Sequence, residues 1–222
     1  IKTHTGGRPY AVAGEGGMVM NTNPHNEPNP YGENVTWQLG YFHECMSGFE
    51  HQVAAHLMAE GMVQESLILT RFIHDRYHAA KRNPFNEIEC SDHYARAMAS
   101  YGTFINACGF EYHGPKGYIK FAPAWNAENF KAPFTSANGW GSYTQKKAGA
   151  KQLHTISLKY GDLQLQELAF NKIGTGSIKS VSVMLGTQNI PVQFTQKGAE
   201  LRITSNKKIS VKTNEYLSIT FS

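Results

Sequence analysis

From Leu153 to Phe221, apolar and polar residues alternate in seven short runs: LHTISLKY, LQLQELAF, IKSVSVML, PVQFTQ, ELRITS, KKISVKT and YLSITF. Turn-forming Gly and Asn, together with Lys, separate them. A period of two sends successive side chains to opposite faces of a strand, so each run is half buried and half solvated. The pattern predicts antiparallel strands in a sandwich or meander with one wet face per sheet.

Upstream of Gly109 the period is helical. Cys45, Phe49, Val53, His56 and Leu57, then Glu60, recur at near four-residue spacing and predict one helix face, with Gly61 as a stop or kink. Leu67, Leu69, Phe72, Ile73 and Tyr77 predict a second helix from about Met62 to Ala80, ended before Pro84. A third is expected to start at Ser91 or Asp92, either of which can cap the first-turn N–H groups, and to run to about Ala107. Two further segments, GYIKFAPAW and APFTSANGWGSY, mix aromatics with turn residues. The opening stretch to about Gly40, including NTNPHNEPNPYGEN, is long and turn-rich; such a loop is functional or disordered and needs a scaffold from elsewhere. We therefore expect the C-terminal portion of a larger architecture.

Composition narrows the function classes. At 222 residues and 41% hydrophobic, the chain can bury one large core or two smaller ones. Its net charge is only +4 and no five like charges run together, which argues against a nucleic-acid partner or a polybasic membrane patch. No apolar stretch approaches the roughly 18 to 20 residues of a transmembrane span, and IKTHTGG lacks the regions of a signal peptide. The richness in Asn, Tyr and Lys leans weakly toward a periplasmic or secreted protein. Cys45, Cys90 and Cys108 lack metal-ligand spacing and read as buried thiols. His74 and His78 are four apart but lack the glutamate of HExxH, so they read as a polar helix face. The Asn34 sequon matters only in a compartment that glycosylates.

One segment concentrates chemistry: RNPFNEIECSDHYARAMASYG, residues 82–102. If 84–90 is extended, Glu87 and Glu89 share a face, while Asp92 and Arg96 are four apart and meet on a helix. A carboxylate accepts two hydroxyl hydrogens side by side and a guanidinium fork donates to neighbouring oxygens. With Phe85 and Tyr94 as walls, these groups suit a sugar. They equally suit a salt-bridge network tying a loop to a helix.

This segment resembles the signature of glycoside hydrolase family 116, which includes the non-lysosomal glucosylceramidases, or bile acid β-glucosidases. In the same order, GGRPYAVAG is similar to the family's GGR-x-x-AV-x-G segment and ECMSGFEHQVAAHLMAEGM to its E-x-W-x-G-x-x-Y-x-x-A-x-x-M-x-x-GM helix. GYIKFAPAWNAENFKAPFTSANGWGSY is similar to the segment leading out of its catalytic domain, and the tail matches chiefly at LKYGDLQLQEL. Met46 departs from the family's tryptophan, removing a stacking wall and putting the usual substrate range in question.

The resemblance implies an α+β chain: residues 1–150 the last helices of an (α/α)6-barrel catalytic domain, residues 151–222 a small antiparallel β domain. It implies a retaining β-glycosidase hydrolysing β-linked glucosides with two carboxylates about 5 to 5.5 Å apart. Both lie upstream of the matched region, so this chain alone is expected to be inactive. What carries over is sugar binding: Glu87 and Arg96 fall on positions that hold hydroxyls of the glucose beside the scissile bond, and Glu44 on a glutamate near that site. Arg8 lies in the GGR segment, where a structural pairing is the plainer reading. The partners implied are a glycoside substrate and the upstream part of the enzyme, with no cofactor and no metal. The alternatives are a non-catalytic carbohydrate-binding module whose β tail recognises glycans, and a relative acting on another β-glycoside. Trp125 and Trp140 read as an aromatic seam between barrel and β tail ahead of a sugar platform.

Overall fold

A computed structural model describes residues 2–3, 15–18, 45–81 and 96–222. The chain divides into two compact units, residues 1–106 and 107–222. Glu44, Glu87, Arg8, Glu89, Cys90, Asp92, the NTNPHNEPNPYGEN loop and the sequon lie outside the described residues.

In the first unit, strands β1 (Lys2–Thr3) and β2 (Gly16–Gly17) pair antiparallel beside helices α1 (Ser47–Ala59) and α2 (Val63–Arg76). α1 ends in a Schellman turn at Gly61, φ +78°, where Met62 N–H donates to Leu57 O at 2.9 Å and Gly61 N–H to Met58 O at 3.2 Å. The turn folds α2 back on α1. Ser66 Oγ then donates to Ala54 O at 2.7 Å, and Ala54, Leu69 and Ile73 form a small core. The buried stripe of α1 is Ser47, Glu50, His51, Ala54 and Met58, one residue out of phase with the face read from the sequence. Phe49 of that face is 41% exposed. The spacing rule followed hydrophobicity, whereas the helix is turned by a buried carboxylate that has a cation to meet. A 3-10 turn, Ala97–Ala99, leads into α3 (Ser100–Cys108). Arg96 itself is non-helical, with φ −110° and ψ 25°, and residues 91–95 lie outside the described residues.

The second unit is a two-layered β-structure. Its strands are β3 (Glu111–His113), β4 (Tyr118–Phe121), β5 (Asn129–Ser136), β6 (Gly139–Ala148), β7 (Lys151–Asn171), β8 (Val181–Leu185), β9 (Gln188–Asn189), β10 (Gln193–Lys197), β11 (Glu200–Lys212) and β12 (Tyr216–Phe221). The 21-residue β7 joins both layers. As far as Gly161 it lies between β6 and β12; from Asp162 onward it pairs with β11 and, from Glu167, with β4. β5 borders β6, and β8 with β9 extends the first layer past β12; β3 borders β4 and β10 borders β11 in the second. Every pairing is antiparallel except β4 with β7. Position 150/151, the boundary expected from the sequence, falls in the turn between β6 and β7.

Inward residues of the two layers share one core, where Phe121 of β4 stacks on Tyr143 of β6 with ring centroids 3.9 Å apart. Each fully buried Leu, Ile or Phe there contributes roughly 1.5 to 3 kcal/mol. Gly161 is the corner at which β7 changes layer: its φ is +83°, and a Cβ would lie 1.8 Å from Asn138 O. Gly161→Ala is therefore expected to destabilise this unit by roughly 2 to 3 kcal/mol, read from the urea midpoint by near-ultraviolet circular dichroism. An unchanged midpoint would remove the corner role.

The architecture corrects the expected fold class. Among the described residues 47% are strand and 25% helix, so sheet dominates, and the three α-helices are short. They are not the ends of an (α/α)6 barrel, and the β part is a mixed ten-stranded sheet rather than a small antiparallel domain. The reason lies in residues 111–148. Read as aromatic connections, they form four strands, set apart by turn residues such as Gly117 and Pro123 that lie between them.

Candidate functional site

Of the three sugar-binding residues named from the sequence, Arg96 is described; Glu44 and Glu87 lie outside the described residues. Arg96 is half-buried against the first turn of α1, its guanidinium carbon 5.5 Å from the centre of the Phe49 ring. Gly48 makes this approach possible, because a Cβ there would lie 2.6 Å from Arg96 Cδ. A guanidinium over an aromatic face gains cation–π attraction and keeps its plane oriented, which suits it to donate in fixed directions to hydroxyl or carboxylate oxygens.

The chain enters α1 through Cys45 and Met46, both buried. Met46 is the extended N-cap residue and supplies no side-chain cap. Filling its position with a buried apolar side chain uses it for packing, which is a different job from an exposed stacking wall.

Below this entry lies an ion pair that the sequence reading missed. Glu50 of α1 and Arg76 of α2 are almost wholly buried and meet through both carboxylate oxygens: Arg76 Nη2 donates to Oε2, and Nη1 to Oε1 at 3.1 Å. Arg76 Nη1 also donates to Gly16 O at 2.9 Å, and Met18 N–H donates to Glu50 Oε1 at 2.7 Å. Burial pulls the Arg76 guanidinium down, but the facing carboxylate more than offsets this and holds it above its ordinary value. The pair thus clamps β2, the entry to α1 and the end of α2 around fixed charges. Its signal was present in the sequence: Glu50 is in phase with Ala54 and Met58, and Arg76 with Leu69 and Ile73. With both oxygens bonded to Arg76, Glu50 is a structural anion rather than a general acid or base.

Cys45 and Cys108 agree with their reading as buried thiols, while Cys90 lies outside the described residues. Burial raises Cys45, against the opposing pull of Arg76, and pushes Cys108 up to about 11, so both stay protonated near neutrality. A cavity of about 330 Å³ beside α2 is lined by charged groups that already pair: Arg71 Nε lies 2.8 Å from Asp75, and Lys81 Nζ 3.8 Å from Glu15. In the second unit Trp140 and Tyr160 are cross-strand partners, 52% and 65% exposed, and Trp125 is 52% exposed. Among the described residues no helix is long and apolar enough to cross a membrane.

No protein-family model matches the chain, and no curated protein matches it. Among solved structures it is similar to alpha-L-rhamnosidase from Dictyoglumus thermophilum, with 13% sequence identity and a TM-score of 0.34. The likeness covers 61% of this chain and 16% of that one, so the chain spans about one sixth of its length. A likeness so distant carries neither fold nor activity across, and none of these comparisons shows membership of family 116.

Proposed function

We propose that this chain is the C-terminal portion of a retaining β-glycosidase acting on β-linked glucosides. Arg96, with Glu87 and Glu44, binds hydroxyls of the sugar, while nucleophile and acid/base belong to sequence upstream. Four ordered sequence segments support the reading, and one structural observation carries it: the Arg96 guanidinium stacked on Phe49 in the space left by Gly48. Such an arginine spends binding energy on ring position, which lowers the barrier when the contact tightens in the transition state.

The test uses the complete enzyme and an aryl β-glucoside. Arg96→Gln and Glu87→Gln are each expected to lower kcat/KM by roughly 30- to 150-fold, the loss of one charged hydrogen bond of about 2 to 3 kcal/mol. Arg96→Lys keeps the charge without the fork and should recover part of the loss. Unchanged kcat/KM in both Gln variants would end the assignment.

A second reading, a glycan-binding module in residues 107–222, is favoured by the adjacent exposed rings of Trp140 and Tyr160. Such rings stack on the apolar faces of sugars. Loss of oligosaccharide binding in Trp140→Ala, with hydrolysis unaffected, would distinguish it from the first reading.

A further inference from the structure

On the outer face of the β3–β4–β7–β11 layer lies a concavity of about 380 Å³ that neither reading uses. We propose that it is a binding site for one neutral sugar unit, gripped through a vicinal diol by Arg202 and Glu167. The inference rests on neither reading above.

Strand register builds the site. Tyr118 of β4 is paired with Glu167 of β7, and Ala169, two residues on, is flanked by Lys120 of β4 and Arg202 of β11. Ala169 points to the same side as Glu167 and is wholly covered between these two long cations. Arg202 Nη1 donates to Glu167 Oε1 at 2.7 Å and Nε to Glu200 Oε1 at 2.6 Å, with the guanidinium 5.8 Å from the Tyr118 ring centre. Tyr118 Oη and Lys120 Nζ donate to the two oxygens of Glu111 at 3.2 and 3.0 Å.

These bonds fix the groups without exhausting them. Arg202 Nη2 and Glu167 Oε2 make no hydrogen bond among the described residues. His113 Nδ1 accepts from Lys116 N–H at 3.3 Å, so the neutral ring carries its hydrogen on Nε2 as a further donor. A guanidinium N–H pair beside an unused carboxylate oxygen is complementary to two adjacent hydroxyls, each of which can accept from the arginine and donate to the carboxylate.

The charge balance selects the ligand class. Lys116, Lys120 and Arg202 are matched in number by Glu111, Glu167 and Glu200, so a phosphate or a metal cation meets no net opposite charge. The volume is near the lower end of the roughly 300 to 1,000 Å³ of small-molecule sites, which suits a single pyranose.

The test is titration of the full chain, followed by ligand-observed NMR, with the methyl β-glycosides of glucose, galactose, mannose and xylose, and inorganic phosphate as the anionic control. At least one glycoside is expected to bind with a Kd of about 1 to 10 mM and phosphate not to compete. Glu167→Gln and Arg202→Met should each weaken that binding about tenfold or more. Arg202→Lys, which keeps the charge without the fork, provides a mild variant and should weaken it by a smaller factor. Absence of saturable binding by all four glycosides, competition by phosphate, or equal affinity in the Glu167 and Arg202 variants would each overturn the proposal. Hydrolysis by the complete enzyme does not enter this readout, so its outcome is separate from the glycosidase reading.

Discussion

Glu50→Ala will loosen the first unit by roughly 3 to 5 kcal/mol, because it leaves the Arg76 guanidinium buried without its counter-charge. Amides of 47–76 are expected to lose protection in hydrogen exchange, while those of 151–171 keep theirs. Arg76→Met produces a comparable loss from the other side. The double variant, Glu50→Leu with Arg76→Met, should be less harmful than the sum of the two single changes, since no buried charge is left. It will not restore full stability: Gly16 O and Met18 N–H, which now bond to the pair, lose their partners. Additive losses in the double variant would show that the two side chains do not act as a pair.

Acid is expected to weaken the second unit through His154. This side chain is buried among Tyr143, Phe170 and Phe221, with ring centroids 6.0, 4.5 and 4.8 Å away. Tyr143 Oη donates to Gln145 Oε1 at 2.7 Å, so it must accept from His154 Nδ1–H, also at 2.7 Å. Nε2 is left with a lone pair and no partner. Burial lowers the imidazole from 6.5 to about 3. Between these values the unfolded chain holds a proton that the folded one refuses, so stability rises with pH. The contribution is fully present above about pH 6.5 and is lost as the pH falls toward 3, costing about 2 to 3 kcal/mol by pH 4.5 and more below. Urea midpoints measured from pH 7 to 4.5 should show this slope. His154→Leu should flatten it, after a fixed cost for the lost bond to Tyr143. A slope that survives in the variant would shift the explanation to other groups.

The strands after Leu153 were legible because one side of each faces the core, and Ile156, Leu158, Leu163 and Leu165 keep the period of two. What the pattern does not encode is continuity. Gly161 looks like a break between two strands, yet it is a bend within one. Likewise ELRITS and KKISVKT form the single strand β11, with a register shift between Thr204 and Ile209. β5 was hidden by Pro133, which the sheet tolerates because β5 pairs on one side only, with β6. In α1 the apolar pattern set the period but missed the phase, because Glu50 is buried as the partner of Arg76; in α2 Leu69 and Ile73 lie on the buried face as read. For the candidate site, sequence could name Arg96 but not Phe49 and Gly48 as its supports: these three meet only through tertiary packing.

The insertion of β12 between β7 and β8 has a consequence for biosynthesis. As the chain leaves the ribosome, β6 and the first half of β7 can pair at once, but β8 and β9 have no place in the layer until residues 216–221 arrive. During that interval the Gln152–Ser157 edge of β7 presents unpaired N–H and C=O groups, a template for pairing with a neighbouring chain. Completion of this unit therefore waits for β12, and the strand that finishes it is also the one that protects it from association while it is being made.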